Sequence, residues 1–373
     1  MKDEQAPAPS LRSGAGKLKD LADRSHAIII EHQDVGGAYP AAPTFSAYKG
    51  YAWLRDGSFT AEGISRYGDV ASASRFHDWA DRVLRGRRAQ VDDLCAAAAR
   101  GEVPADSAML PTRFTFDGAD GSDPWWDFQT DGYGMWLWSV VTHAARHGLD
   151  LERWRGGIDV AVDYLVAVWD RPCYDWWEEH VEHRHVSTLG AIHGGLVAIS
   201  PYTSAPASAV AASIRELVDA HGIHDGHLTK WFGTSAVDGS LPACVVPFGL
   251  VSGSTAAATL TAVARELDVD GGVHRFRADV FYGGGQWILL SALLGWNLAV
   301  AGDVDGAWRH LRWIAAQADA DGNLPEQVPH HLLHPGSRDE WIARWGTVAS
   351  PLLWSHGMYL ILADELGITR KAD

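Results

Sequence analysis

In the segment Asp175-Trp176-Trp177-Glu178-Glu179, acidic side chains stand directly beside indoles. Glu178 has an apolar neighbour, Trp177, on one side and a like charge, Glu179, on the other. Both influences raise a carboxyl pKa, which suits a group that must hold a proton near neutral pH and then donate it. A solvated acidic loop through His180 is the blander reading of the same residues. A second carboxylate, Glu326, follows Asn323-Leu324-Pro325, where proline stiffens the chain and can fix a side chain over a water. Taken alone, Glu326 would pass for an ordinary loop glutamate.

Tryptophan points in the same direction. The chain has 18 Trp, far more than core packing asks for. Many are clustered, as at Trp125-Trp126, Trp136 and Trp138, Trp176-Trp177, and Trp341 and Trp345. Indoles stack on the apolar faces of pyranose rings while their N–H groups bond outward. The competing reading, filling of a wide apolar core, is weakest for the indoles next to carboxylates.

These residues need a scaffold, and the periodicity of the chain is helical, with few strand signals. Amphipathic or apolar segments predict helices over 17–31, 57–66, 71–99, 132–147, 151–168, 186–198, 207–221, 255–267, 285–301, 304–318 and 351–366. Gly or Pro punctuates nearly every junction. With the longest segment broken in two, twelve helices result. An even antiparallel series with long polar loops at one end predicts an all-α fold, an (α/α)6 barrel, as one domain over 17–373 behind a flexible arm at 1–16. The aperiodic loops 170–185, 221–254 and 319–346 hold the Asp, Glu, His and Trp residues, and loops this long in a compact domain are usually functional.

Composition narrows the partners. With 31 Lys+Arg against 47 Asp+Glu, the net charge of −16 repels phosphate backbones and anionic lipid, so neither nucleic acid nor membrane is an expected partner. The longest apolar run, 287–301, is too short and too interrupted to span a bilayer. Three widely spaced cysteines, Cys95, Cys173 and Cys244, and an N-terminus without a signal-like apolar stretch suggest a cytoplasmic protein with free thiols.

Six strings in order carry a resemblance. They are Tyr51-Ala52-Trp53-Leu54-Arg55-Asp56, Gln129-Thr130-Asp131-Gly132, Asp175-Trp176-Trp177-Glu178-Glu179, Arg275-Phe276-Arg277-Ala278-Asp279 with Trp287 after it, Leu324-Pro325-Glu326-Gln327, and Pro351-Leu352-Leu353-Trp354-Ser355-His356. Together they resemble glycoside hydrolase family 15, the glucoamylase family, over most of the chain from about residue 48 to 356. The resemblance implies inverting, exo-acting hydrolysis of terminal α-glucosyl residues, with Glu178 as general acid, Glu326 as general base and Tyr48 orienting the attacking water. An inverting glycosidase needs one protonated carboxyl at the leaving oxygen and one ionised carboxylate behind a water on the opposite face. By the same resemblance Arg55, Asp56 and Asp131 bind the glucose being removed, and Arg275 and Glu179 bind the sugar on the leaving side. Trp125, Trp177 and Trp354 are the expected stacking walls. Asp56 could also act as N-cap of a helix starting at Gly57.

Two departures from the family stand out. Tyr48 lies seven residues before Arg55, one residue farther than in fungal members, and Phe281 stands where many members have a tyrosine. The single barrel, without a starch-binding module or β-domain, predicts a small α-glucoside as substrate. The α-1,6 bond of isomaltose ranks first, then trehalose and malto-oligosaccharides. No cofactor and no obligatory protein partner is expected. A non-catalytic sugar-binding barrel would keep the tryptophans without needing both carboxylates. The histidines at 180, 183 and 185, and at 330, 331 and 334, lack the spacing of a metal site. Gly283-Gly284-Gly285 lacks the Lys and Ser/Thr of a phosphate loop and reads as a tight bend.

Overall fold

Residues 14–369 are described by the computed structural model of the chain. In chain order, α1 (Ala15–His32) is followed by α2 (Leu54–Tyr67), α3 (Val70–Arg85), α4 (Arg88–Ala99), α5 (Asp131–His147), α6 (Arg155–Val168) and α7 (Val186–Ile199). Then come α8 (Ala207–His221), α9 (Gly253–Leu267), α10 (Ile288–Ala301), α11 (Val304–Ala315), α12 (Arg338–Trp345) and α13 (Leu353–Glu365). Most of the arm expected over 1–16 lies outside the described residues, and Ala15 and Gly16 already belong to the first turn of α1.

The helices divide by how they are buried. On α8 only Ala207, Ala211, Ile214 and Val218 are buried, one stripe at helical spacing; such a helix faces a core on one side and solvent on the other. On α13 every residue from Leu353 to Ala363 is buried. A helix covered all round must be surrounded by other helices, and α2, α5, α7, α10 and α13 form such an inner set. Neighbouring inner helices pack α13 on α2, α2 on α5, α5 on α7, and α10 on α13. The gap between α7 and α10 is filled by a single 3-10 turn, Leu241–Cys244, which packs on α7, α9 and α10. Outside this ring α1, α3, α6, α8, α9 and α11 lie against the inner helices, completing twelve positions of an (α/α)6 barrel.

Two expectations change in detail. The segment 71–99 does break, at Gly86 and Arg87, but its second half, α4, packs outside on α6 and does not supply the twelfth barrel position. That position belongs to the Leu241–Cys244 turn, too short for any periodicity to show. The loop expected over 319–346 contains α12, none of whose residues is buried, so no core-facing stripe marks it. Glycines set the closest inner contacts: a Cβ on Gly63 of α2 would run into the backbone of Gly357 on α13, and one on Gly134 of α5 into that of Ala191 on α7.

Leaving aside the extra helices α4 and α12, the twelve barrel positions alternate between outer and inner along the chain. All inner helices run in the same direction, so every loop that leads from an outer to an inner helix opens on one rim. Short antiparallel pairings brace these loops. Tyr51–Trp53 pairs with Arg113–Thr115 ahead of α2 and α5. A four-stranded ribbon joins Asp268–Val269, Gly272–Val273, Gln286–Trp287 and Gln327–Val328 ahead of α10 and α13.

Candidate active site

The outer-to-inner loops meet in a pocket with about 790 Å³ of space between its walls, its opening to solvent included. Its wall includes Tyr48, Arg55, Asp56, Trp125, Trp177, Glu178, Glu179, Arg275, Glu326 and Trp354. Ten of the eleven residues expected at the site therefore share one cavity. Asp131 is the exception: it is fully buried behind Arg55, accepting a 3.1 Å hydrogen bond from its Nη1. Asp131 thus orients a pocket residue and lies outside the wall.

Glu178 is held by groups distant in sequence. The indole N–H of Trp53 donates to its Oε1 at 2.9 Å, and Arg55 Nη2 approaches the same oxygen at 3.5 Å. Its covalent neighbours point elsewhere. Trp177 Nε1 donates to both oxygens of Asp238 at 3.1 and 3.0 Å, and Glu179 Oε1 accepts from Arg275 at 3.1 Å. The reason is the backbone: Glu178 has φ 65, a left-handed conformation that costs a non-glycine residue about 1–3 kcal/mol and persists only where the surroundings impose it. The like charge and apolar neighbour read from the sequence are thus turned to other partners.

Glu326 is almost fully buried, and its loop is fixed on several sides. Its amide donates to Ala349 O at 2.9 Å and its carbonyl accepts from Ile288 N at 3.3 Å. Next to it, Leu324 N donates to His356 Nε2 at 3.0 Å, and Ser355 Oγ donates to Pro325 O at 2.8 Å. Tyr48 Oη donates to Glu326 Oε1 at 3.1 Å, while Oε2 is buried without a partner among the described residues. Burial pushes the Glu326 carboxyl up to about 8, against the Tyr48 hydrogen bond and the Arg275 charge, both of which favour the ionised form. Burial likewise lifts Asp56 to about 7 in spite of Arg55, with the Glu178 charge adding to the rise. Tyr48 is driven well above its ordinary range, first by burial and then by the Glu326 charge. Asp56 sits in the first turn of α2, which begins at Leu54 with Trp53 at its cap position; it is not the cap itself.

A carboxyl whose pKa rises on folding binds its proton more tightly in the folded state. It therefore costs no stability below the unfolded value near 4.5, and an increasing penalty as pH climbs toward 8. Glu326→Gln removes that penalty and keeps an acceptor for Tyr48. It is expected to stabilise the fold at pH 8 by about 1–3 kcal/mol, with the advantage shrinking toward pH 4.5. Urea midpoints for both proteins across that range provide the check, and a gain independent of pH would contradict it.

Several residues of the wall carry buried polar atoms left without a hydrogen-bond partner among the described residues: Arg55 Nε, Trp125 Nε1, Trp176 Nε1, Trp287 Nε1, Trp354 Nε1 and Glu326 Oε2. Buried polar groups left unpaired cost about 1–3 kcal/mol each, and these six belong to residues that line one cavity. Indole faces supply the apolar half of its surface. Trp354 stacks on Phe59 at 5.8 Å, and Trp125 carries Arg113 over its ring at 3.9 Å.

Several wall residues escaped the sequence reading. Trp53, Trp176 and Trp287 stand in the recognised strings without a role, and Trp126, Trp341 and Trp345 count only toward the tryptophan excess. A signal existed for the last two: four residues apart, they fall on one face of a helical turn, and α12 brings both to the pocket. Phe281 lines the wall with the Arg275 guanidinium 5.0 Å from its ring centre. Among the described residues no group of three or more His, Cys, Asp or Glu is placed to hold a metal. His183 instead stacks on Trp231 at 4.4 Å, and Gly283 and Gly284 form a bend with φ 85 and 69. No described helix is long and apolar enough to cross a membrane.

A family model described as glycosyl hydrolases family 15 matches residues 21–312. An isomaltose glucohydrolase from Kribbella flavida is 81% identical over 365 residues, which cover 95% of this chain and 95% of the relative. A solved glycosidase structure in complex with glucose is 78% identical and superposes with a TM-score of 0.93, covering 95% of this chain and 98% of the other. A glucoamylase from Saccharomycopsis fibuligera superposes with a TM-score of 0.70 over 98% of both chains at 14% identity. At that identity the likeness concerns the fold alone.

Proposed function

The chain belongs to glycosyl hydrolases family 15, and from that premise we propose that its pocket hydrolyses the α-1,6 bond of isomaltose, releasing one glucose from the non-reducing end with inversion. An exo-acting α-glucosidase is the class to which the family and the 81% identical relative assign it. The observation that carries the finer reading is the pairing of two differently held carboxylates in one cavity. Glu178 is gripped by Trp53 and Arg55, and Glu326 is buried with one oxygen on Tyr48 and the other unpaired.

In this reading the glucose to be removed lies on Trp354 and Trp177 with its hydroxyls toward Arg55 and Asp56. Glu178 protonates the glycosidic oxygen. Glu326, through its unpaired Oε2, takes a proton from a water that attacks the anomeric carbon from the other face, while Tyr48 holds the carboxylate from Oε1. A base with a raised pKa is the stronger base once ionised. Arg275 and Glu179 face the departing sugar. Burial of so many indoles around a small cavity favours a disaccharide over a polymer. We assign the activity to one catalytic domain over residues 17–373. We place it in the cytoplasm, where the unpaired thiols Cys95, Cys173 and Cys244 would stay reduced.

Glucose release from isomaltose, trehalose, maltose and dextran tests the substrate. Isomaltose should be cleaved with the highest kcat/KM and dextran more slowly. Proton NMR of the first product should show β-glucose. Early α-glucose would mean a double displacement and would remove Glu326 from the role of base.

A further inference from the structure

Behind the acid loop lies a buried ion cluster used by no step above. Lys230 is the sole lysine between residues 50 and 370 in a chain otherwise rich in arginine. It is 2% exposed, as are Asp175 and Asp238. Its Nζ donates to Asp175 Oδ2 at 2.8 Å and to Asp238 Oδ2 at 2.6 Å, and it stands 4.0 Å from the centre of the Phe276 ring. A compact ammonium with three donors can join two carboxylates in different directions, a task for which the planar guanidinium of arginine is less suited.

The remaining oxygens of both aspartates act on the segment that carries Glu178. Asp175 Oδ1 accepts the amides of Trp177 at 2.9 Å and Glu179 at 3.0 Å, closing a turn around Glu178. The Asp175 backbone completes it, its carbonyl accepting from Glu178 N at 3.0 Å and its amide donating to Glu179 O at 3.1 Å. Asp238 receives the Trp177 indole and is itself fixed by Ser240, whose amide and hydroxyl donate to it at 2.9 and 2.6 Å. On the other side, Lys230 is anchored through its carbonyl, which accepts from Val186 N at the start of α7. The left-handed φ of Glu178 needs such over-determination to persist.

We propose that Lys230 is a positioning residue for the proton donor: by tying Asp175 to Asp238 it holds the 175–179 turn in the shape that aims Glu178 at the leaving oxygen. The proposal rests on the reading of Glu178 as general acid. Burial alone would raise the Asp175 carboxyl, yet Lys230, with smaller help from His185 and the Glu179 amide, holds it down to about 2, so its tie to Lys230 is one between opposite charges.

The test separates aim from folding through the leaving group. α-Glucosyl fluoride departs with little help from an acid, whereas the sugar of isomaltose needs one. Lys230→Met keeps length and removes charge; Asp238→Asn is the milder variant, still able to accept the Trp177 indole, and serves if Lys230→Met does not fold. Either variant, with wild-type circular dichroism, is expected to lose about 10–100-fold in kcat on isomaltose, as small misplacements of a catalytic group do. KM should change less than about threefold, and most of the loss should vanish on the fluoride. Equal losses on both substrates, a loss confined to KM, or no loss would overturn the proposal. Glu178→Ala run alongside distinguishes the two levels. If it recovers on the fluoride and Lys230→Met does not, the positioning role fails alone; if Glu178→Ala itself does not recover, the acid assignment fails and takes the positioning role with it.

Discussion

On isomaltose, Glu178→Ala is expected to lose about 10²–10⁴-fold in kcat, the usual contribution of a positioned general acid, and to regain much of it on α-glucosyl fluoride. The sugar leaving group departs as an alkoxide unless a proton reaches its oxygen, whereas fluoride is stable as an anion. Glu326→Ala should lose as much on isomaltose and stay impaired on the fluoride, because the attacking water still needs a base on the opposite face. Small anions such as azide or formate should accelerate Glu326→Ala on the fluoride, since truncation leaves room for an external anion beside Tyr48. Initial rates on the two substrates for both variants make the comparison. Recovery of Glu326→Ala alone would exchange the two roles, and equal recovery of both would end the assignment.

The second large effect is at Arg55, whose guanidinium is 5% exposed. Nη1 donates to Gln129 Oε1 at 2.6 Å and to Asp131 at 3.1 Å, Nη2 reaches Glu178 at 3.5 Å, and Nε lies 3.7 Å from Asp56. Removing one partner of a buried ion pair leaves the other uncompensated, so Arg55→Met should cost about 3–5 kcal/mol of stability. It should also lower kcat/KM on isomaltose by roughly 10- to 10²-fold, because a charge-assisted hydrogen bond to the sugar contributes about 1.5–3 kcal/mol. The two losses have different origins, and a second substitution separates them. Adding Asp131→Asn relieves the orphaned charge and should restore a large part of the stability while leaving activity low. Denaturation midpoints and kinetics of the single and double variants test this, and activity that returned together with stability would reduce Arg55 to a structural role.

What could be learned without tertiary structure came from residue type, spacing and helical period. The period of buried positions predicts the helices and, through their even number and polar loops, the barrel. Six strings in order, read as a resemblance to one family, single out Glu178, Glu326 and Arg55; the chain neighbours of Glu326 would not have marked it on their own. Convergence is a different matter. That Tyr48, Glu178, Arg275 and Glu326 share one cavity depends on inner helices all pointing one way, a property of alternating rings that no single segment contains.

Direction was decided in three dimensions as well. Trp177, Glu178 and Glu179 are neighbours in sequence, but a left-handed turn sends them to Asp238, to Trp53 and to Arg275, and the two groups that hold Glu178, Trp53 and Arg55, lie over a hundred positions away. Asp131 belongs to a motif with the character of a binding residue, yet packing places it behind Arg55. The turn Leu241–Cys244 and helix α12 have no buried stripe of helical length to announce them. Lys230 illustrates the limit most clearly. A lone lysine in a polar loop is usually a solvated charge, and only burial between two carboxylates, where water can no longer screen them, turns it into the support of the turn that carries Glu178.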